Sequence, residues 1–289
     1  MSLNSTLVNK PSKFPEKGIR AVEYYMDKYG IVNPYTRSAL LGVVGKESGF
    51  KPKGEYSYKN TSNSRLRHLF SSRLKGLSEN QLESLKQDDI SFYDRIYGKD
   101  APDPKGKKYR ERYGHTKKGD GYKYRGRGMN QLTFKSSYKK MGKKIGVDLV
   151  NNPELANDLD IASHIAVRFL HDRLQNIPTS GKYAQLHPVK DMNGFTDQKT
   201  ANYTVTNANG GWRKSPRSES IENTTKYAKV FEYPKELYDK LTKYGAKGVA
   251  ESFAKDPIKF AKRNWIPFTV VALVGVGVAI IVVRKVFKS

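Results

Sequence analysis

The sequence predicts a mainly α-helical protein with one transmembrane helix at its C-terminal end. Apolar residues recur at helical spacing along much of the chain, which predicts amphipathic helices packed around a core. Residues 266–283 form an uncharged apolar run that is just long enough to cross a bilayer. The chain has no cysteine, which excludes disulfide scaffolds, thiol catalysis and zinc sites built on cysteine.

The helices are expected at intervals before residue 245. Ser78 is predicted to be the N-cap of a short amphipathic helix at 79–87, because Glu79 follows in its first turn. Residues 97–128 are rich in glycine, proline and cations, and are predicted to form a long loop or a loop with a small hairpin. The remaining helices are expected at about 17–29, 36–48, 133–145, 158–175, 197–208, 219–231 and 235–244.

The apolar run divides the chain into regions of different composition. Trp265 stands at the front edge of the run, and basic residues flank both of its ends, as in membrane-spanning helices. Because cations lie on both sides, they do not set the orientation. The N-terminal residues contain no apolar stretch, so no cleaved secretory signal is expected. The regions are an N-terminal extension at 1–16, a main domain at 17–244, a basic connector at 245–264, a transmembrane helix at 265–284 and a short basic tail at 285–289.

The net charge predicts an anionic partner. Lysine and arginine number 53 against 28 acidic residues, which gives a formal charge of +25. Such an excess suits a nucleic acid, a membrane surface or an acidic cell-wall polymer. Most of it lies before residue 265, so it belongs to the main domain and the connector rather than to the tail. None of the five histidines forms an HExxH pair, and neither a metal nor a cofactor is predicted.

Glu47 has the sequence features of a catalytic acid. It follows Leu40, Val43 and Val44 at helical spacing, so it is expected to share their inward face. Because an apolar face disfavours the charged form of a carboxyl group, we expect Glu47 to keep its proton near neutral pH. A protonated carboxyl is what a general acid for glycosidic cleavage requires. The alternative is a glutamate that merely caps or salt-bridges at the helix end.

Glu55 is the second candidate carboxylate and lies beyond the helix end at Gly49. Glycoside hydrolysis needs two carboxyl groups on opposite sides of the bond, about 6.5–9.5 Å apart in inverting enzymes. A loop that turns back through Pro52 and Gly54 has the length to cross a cleft of that width. The alternative is an ordinary surface-loop glutamate.

The segment GDGYKYRGRGMNQLTF at 119–134 has features of a ligand-binding loop. Its glycines let the backbone approach a ligand closely, and its tyrosines and arginines can stack on or hydrogen-bond to a sugar. The same interleaving suits stacking on RNA bases, but no nucleic-acid fold signature accompanies it, so no specific nucleic-acid partner is expected. Further along, the NGG sequence at 209–211 is predicted to form a turn after a helix, with Trp212 as an apolar platform.

These motifs together resemble the family 19 glycoside hydrolases, a group of chitinases and phage endolysins. The YRGRG and QLT sequences at 124–133 and the GVDLVNNPELA sequence at 146–156 follow the family's order and spacing, and a helix comes next. ESGF at 47–50, Glu55 before an aromatic-rich stretch and the late NGG also follow the family order. The resemblance implies a mainly α, two-lobed lysozyme-like fold with a substrate cleft, and makes 17–244 the glycosidase domain.

The resemblance also implies a role for each motif residue. Glu47 would be the general acid, and Glu55 would be the general base that activates a water, with inversion at the anomeric carbon. Gln131 and Thr133 match positions that line the sugar cleft, and Asn209 matches an asparagine that binds substrate or holds the water. The remaining substrate-binding residues are Tyr124 and Arg127, which would shape the cleft.

Two features leave the mechanism open. Family members often carry histidine before the acid, whereas this chain has Lys46. The ESGF sequence followed by Lys-Pro is also similar to the lytic transglycosylases, which share the fold and use one glutamate. In that interpretation Glu47 is both acid and base, the product ends in a 1,6-anhydro ring and Glu55 is dispensable.

The charge helps to choose the substrate. Chitin is neutral, whereas peptidoglycan carries peptide carboxylates and bacterial walls add phosphates, so a cationic enzyme is held near the wall. We therefore expect a bacteriophage glycosidase that degrades peptidoglycan during host entry or lysis. Its segment 265–284 would anchor it as a single-pass protein in the virion membrane or the host inner membrane.

Three alternatives to this function remain open: a chitinase, a non-catalytic virion membrane protein that binds the wall, and a basic membrane protein that binds nucleic acid. Gly275 and Ala279 have the spacing of dimerising helices, which leaves an oligomer in the virion open.

Overall fold

A computed structural model describes residues 13–101, 112–181, 183–212, 216–233 and 238–239. Within these ranges the secondary structure is helical, apart from an isolated antiparallel bridge between Arg127 and Leu132. The predicted mainly α class is confirmed for this part of the chain. The helices are α1 (Glu16–Lys28), α2 (Pro34–Ser48), α3 (Asn63–Leu69), α4 (Ser71–Leu74), α5 (Glu79–Leu85), α6 (Asp89–Tyr97), α7 (Asp120–Lys123), α8 (Lys135–Ile145), α9 (Leu159–Leu174), α10 (Gln198–Gly210) and α11 (Ser218–Ala228), with 3₁₀ turns at Pro153–Asn157 and Ala184–Leu186.

The chain divides into two compact units. One contains Phe14–Tyr25 and the described part of Val44–Phe169, and we call it the carboxylate unit because it contains Glu47 and Glu55. The other contains Met26–Val43 and the described chain from Leu170 onward, and we call it the Asn209 unit.

Four short helices, α3 to α6, form the first core of the carboxylate unit. Each is too short to be stable alone, so their shared apolar cluster stabilises them. Side chains of Ser62, Ser78 and Asp88 accept hydrogen bonds from backbone N–H groups in the first turns of α3, α5 and α6. The predicted N-cap at Ser78 is confirmed. The buried members of the cluster are Leu66, Phe70, Leu74, Leu82, Phe92, Tyr93 and Ile96.

A second core lies beneath the glycine-rich segment of the same unit. Tyr124 and Leu132, on either side of the YRGRG turn of that segment, are both buried in this core, so the turn is fixed on both sides. The backbone pair between Arg127 and Leu132 closes the turn that they bracket. The other buried members come from α8, the turns after it and the start of α9: Tyr138, Met141, Leu149, Ala156 and Ile165.

In the Asn209 unit, α2 and α11 meet at backbone distance. A Cβ atom added to Gly42 would lie 2.8 Å from the Thr224 carbonyl oxygen and 2.9 Å from the Ala228 nitrogen. The absence of a side chain at Gly42 therefore permits the contact. The Asp197 side chain caps α10 by accepting a hydrogen bond from the Thr200 N–H.

The structure corrects several predicted boundaries. Helices α3, α4 and α6 were not expected, because each offers too few turns for a clear helical period. The loop predicted at 97–128 is interrupted by α7. Helix α10 continues to Gly210, so Asn209 lies in its last turn rather than in a turn after it. Gly211 then ends the helix with a left-handed backbone, at φ +84°.

The predicted membrane segment lies outside the described residues. This applies to the connector at 245–264, the helix at 265–284 and the tail at 285–289, and to most of the helix predicted at 235–244. Among the residues that the structure does describe, no helix combines the length and the apolar character needed to cross a membrane.

Candidate active site

The Glu55 loop is joined to the glycine-rich segment by a reciprocal pair of hydrogen bonds. The Glu55 backbone N–H donates to the Gly126 carbonyl oxygen at 2.8 Å. In return, the Gly126 N–H donates to Glu55 Oε2 at 3.1 Å. These two bonds place a half-buried carboxylate beside a buried glycine.

Two tyrosine hydroxyl groups hold the other oxygen of Glu55. Tyr58 donates to Oε1 at 2.8 Å, and Tyr97, from the end of α6, donates to the same oxygen at 3.2 Å. Burial raises the pKa of both tyrosines well above the ordinary value, and the charge of Glu55 raises each pKa further. Both hydroxyl groups therefore stay protonated and act as donors.

The partners of Glu55 match the hydrogen-bonding capacity of an ionised carboxylate, which only accepts. Two hydroxyl groups and one backbone N–H point at its two oxygens. A carboxylate has about four lone-pair sites, so this arrangement leaves one for a water. Such a group can act as a general base.

Gln131 and Thr133 lie beside Glu55, as the resemblance implies for cleft-lining residues. A Cβ atom added to Gly126 would lie 2.7 Å from Gln131 Oε1, 3.3 Å from Glu55 Oε2 and 3.5 Å from Thr133 Oγ1. Three polar groups thus converge on one backbone position that has no side chain. The exposed Gln131 is fixed there, because its amide donates to the carbonyl oxygens of Lys53 and Gly128.

The backbone on either side of Thr133 is strained. Gln131 and Phe134 both adopt left-handed conformations, at φ +52° and +76°, which non-glycine residues seldom occupy. Strain of this kind concentrates at functional sites, where the surrounding structure maintains it. Here a hydrogen bond from the Thr133 hydroxyl to the Gln131 carbonyl oxygen, at 2.8 Å, helps to hold the turn.

Tyr124 and Arg127 are structural residues of the segment rather than exposed ones. Tyr124 is buried, and its hydroxyl group donates to the Val150 carbonyl oxygen. Arg127 is 1% exposed, and its guanidinium donates to the Lys123 carbonyl oxygen and the Tyr138 hydroxyl. In this structure neither side chain is placed to touch a sugar. Their contribution is to hold the segment on which Gly126 and Gln131 lie.

His115 connects Tyr97 to the start of α8. Its Nε2 accepts from the Lys135 backbone N–H at 3.2 Å, so the ring proton is on Nδ1, which donates to the Tyr97 carbonyl oxygen at 2.6 Å. The ring is fully buried, and burial lowers the pKa of His115 below its ordinary value of 6.5. The imidazole is therefore neutral near pH 7 and supports Tyr97 from behind.

The expected inward orientation of Glu47 is wrong. Val43 and Val44 are buried, but the Glu47 side chain is 43% exposed and pairs with the Lys46 ammonium at 3.1 Å. Helical spacing fixes the direction of a side chain around the axis, but Glu47 is the penultimate residue of α2, where the core no longer covers that face. Lys46, whose side chain is only 16% exposed, is the more buried of the two.

Asn209 belongs to the other unit and is half-buried in the last turn of α10. The Trp212 N–H donates to the Asn207 carbonyl oxygen beyond the helix end, and the Trp212 ring packs against His187 with centroids 4.9 Å apart. Asn207 also contacts His187 Nε2 at 3.0 Å. The predicted role of Asn209 stays a prediction, as does the separation of Glu47 from Glu55.

The tyrosine donors and His115 were not identified from the sequence. An aromatic-rich stretch after Glu55 was the one signal for Tyr58, whereas Tyr97 is 42 positions away from Glu55. No group of three acidic or histidine side chains in the described residues is arranged to hold a metal ion.

A half-buried carboxylate that is hydrogen-bonded to a glycine-rich turn defines a candidate hydrolase site, and comparisons with known proteins identify the class. Residues 92–212, which include Tyr97, His115 and the glycine-rich segment, match the family model described as Chitinase class I. A glycosyl hydrolase family 19 domain-containing protein of Haemophilus influenzae is 30% identical over 172 residues, which cover 58% of this chain and 77% of the relative. The chain belongs to glycoside hydrolase family 19.

Proposed function

We propose that the protein hydrolyses β-1,4 bonds between N-acetyl amino sugars of peptidoglycan by an inverting mechanism, with Glu47 as the acid and Glu55 as the base. The observation that carries this proposal is the set of donors around Glu55. They hold a carboxylate in place and leave it one lone pair, which is the arrangement a general base needs.

The reaction requires two proton transfers and one attack. Glu55 takes a proton from a water while the water oxygen bonds to the anomeric carbon. The glycosidic bond breaks, and its oxygen receives the proton of Glu47. The exposure of Glu47 suits contact with a large polymer. A bound glycan strand that displaces water from Glu47 would favour the protonated form that this step needs.

The charge supports peptidoglycan over chitin as the substrate. The chain carries a formal charge of +25, and a neutral polysaccharide gives no reason for such an excess. Peptide carboxylates and wall phosphates attract a cationic protein over distances of about a Debye length, roughly 8–10 Å at moderate salt. Binding to walls should therefore weaken as salt is raised.

We also propose that the predicted helix at 265–284 anchors the protein in a membrane, as a single-pass protein of a bacteriophage virion or of its host's inner membrane. The support is the sequence itself, namely the uncharged run with Trp265 and basic residues at its ends. A membrane-held enzyme of this charge suits host entry or lysis.

The two carboxylates are tested by Glu47→Gln and Glu55→Gln in the full-length protein, purified in detergent. Loss of turbidity of isolated bacterial walls should slow by about 10²–10⁴-fold in each variant, because each loses a proton-transfer group. Glu222→Gln is the matched control, since Glu222 is an exposed glutamate in α11. Wild-type rates in both active-site variants would overturn the mechanism. Loss in Glu47→Gln alone would favour the transglycosylase route.

A further inference from the structure

The two oxygens of Glu55 have different surroundings. Oε1 accepts from both tyrosine hydroxyl groups, at 2.8 and 3.2 Å, whereas the described contact of Oε2 is the Gly126 N–H at 3.1 Å. Each carboxylate oxygen offers about two lone-pair sites, so Oε1 is saturated and Oε2 has one site left. Oε2 is also the oxygen that lies near Gln131 and Thr133.

From this asymmetry we infer that Tyr58 and Tyr97 are positioning residues, which hold Glu55 Oε1 so that Oε2 is the oxygen that receives the proton from the attacking water. The inference rests on the proposed function, because it takes Glu55 to be the general base. It adds two residues that act through Glu55, and it assigns the reacting oxygen.

The aromatic cluster around the tyrosines keeps them in place. The Tyr58 ring packs against Phe70 and Phe92, with centroids 5.3 and 5.2 Å away. The Tyr97 ring packs edge-on against Phe134, at 5.7 Å, and so links α6 to the end of the glycine-rich segment. Both hydroxyl groups therefore reach Glu55 from rigid supports.

Among the described residues, the other charged and titratable groups near this cluster make contacts elsewhere than at Oε1. Arg73 lies over the Tyr97 ring, 5.8 Å from its centroid, and Arg125 lies over the Tyr122 ring at 4.1 Å. Tyr93, on α6, directs its hydroxyl to the Tyr56 carbonyl oxygen at 2.6 Å. Burial raises the pKa of Tyr93, so it also stays protonated.

The test replaces each hydroxyl while keeping the ring, as Tyr58→Phe and Tyr97→Phe in the full-length protein. Activity is measured on a soluble, fluorescently labelled peptidoglycan fragment, so that kcat and KM are separated. A lost donor destabilises the ionised carboxylate, which then takes up a proton at higher pH. We expect kcat to fall about tenfold with KM nearly unchanged, and the acid limb of the kcat/KM profile to move up by about one pH unit.

Tyr93→Phe is the matched control. It removes a hydroxyl group from the same cluster, but that group bonds to a backbone carbonyl and not to Glu55. It should lower the thermal midpoint without moving the acid limb. Because its hydrogen bond is shorter, Tyr58 should give a larger shift than Tyr97.

A third variant keeps the test decisive if a phenylalanine variant fails to fold. Site-specific 3-fluorotyrosine at position 58 preserves the ring and supplies a more acidic, stronger donor, so the acid limb should move to lower pH. Wild-type kcat and an unmoved acid limb in the folded variants would overturn the positioning role while leaving Glu55 as the base. Failure of the proposed function is a separate result, namely a wild-type protein that cleaves no glycan.

Discussion

Glu47 and Glu55 lie in one compact unit and were assigned complementary roles, yet their surroundings are opposite. Glu55 is half-buried, and three donors fix both of its oxygens: one from its own loop, one from the end of α6 and one from the glycine-rich turn. Glu47 is exposed at the end of α2 beside the Lys46 ammonium. The proposed base is thus organised before any ligand arrives, whereas the proposed acid sits where a polymer can reach it.

The difference between the two surroundings suggests that substrate binding changes the environment of Glu47 more than that of Glu55. A preorganised base needs no rearrangement to activate a water, which lowers the cost of the attack. The acid, in contrast, depends on what covers it. We therefore expect changes to the neighbours of Glu55 to alter the chemical step more than changes to the neighbours of Glu47.

The largest effect outside the carboxylates and tyrosines is expected for Gly126→Ala. The new Cβ would displace the Gln131 amide, which it would meet at 2.7 Å, and would crowd Glu55 Oε2 at 3.3 Å. Because Gln131 is exposed, its amide can shift toward solvent at the cost of its hydrogen bonds to Lys53 and Gly128, and the fold should tolerate the change. Misplacement of the base by a fraction of an ångström should lower kcat by about tenfold to a hundredfold, as measured on the labelled fragment.

The control for that substitution is Gly194→Ala, where a Cβ would meet its neighbours at ordinary contact distances of 3.4 Å or more. It should leave kcat unchanged. Equal losses in the two variants would mean that the crowding at Glu55 has no special effect.

Replacing His115, which hydrogen-bonds to the Tyr97 carbonyl oxygen, is expected to have a smaller effect, on the stability of the protein rather than on kcat. Burial lowers its pKa in the folded protein, so below its ordinary pKa of 6.5 the unfolded chain binds a proton that the folded chain resists. The free energy of unfolding should therefore fall as pH falls through and below that value. In His115→Gln this fall should be shallower, as urea unfolding at pH 7.5 and pH 5.0 would show.

Exposed His68 supplies the comparison for His115, since His68→Gln should leave the pH dependence as in the wild type. In His115→Gln the free energy of unfolding should still depend on pH to some extent, because burial also lowers the pKa of His187 in the other unit. A slope in His115→Gln as steep as in the wild type would contradict this assignment.

The smallest effect is expected at Lys46, on the Glu47 side. Lys46→Gln removes the ammonium that pairs with the Glu47 carboxyl at 3.1 Å and leaves the carboxyl in place. The pair is partly exposed and screened, so kcat on the labelled fragment should change by no more than about fivefold. Lys51→Gln removes an equal charge from a nearby exposed position and should leave kcat unchanged.

The parts of the fold with long helical periods could be predicted from the sequence. Helices α1, α2 and α9 were expected to within a few residues, and the cap at Ser78 followed from local chemistry. Helix α4, with four residues, carries too short a pattern to be recognised. Its stability comes from the apolar cluster that it shares with α3, α5 and α6, which a local pattern does not reveal.

The residues of the site likewise fall into those that a local motif indicates and those that only long-range contacts reveal. Glu55, Gln131 and Thr133 were identified by their motifs, and the structure brings them together around Gly126. Tyr97 and His115 act through contacts between distant positions, so no local spacing indicates them. The depth of Glu47 was mispredicted because periodicity gives the direction of a side chain and not where the core ends.

The central claim is that Glu55 activates a water that attacks the anomeric carbon. Wall glycan should be digested with the full-length protein in H₂¹⁸O, and the new reducing ends should be analysed at once by mass spectrometry and proton NMR. The account predicts one solvent oxygen in each new end and an initial product of inverted, α configuration. Ends that form a 1,6-anhydro ring and carry no solvent oxygen would contradict it.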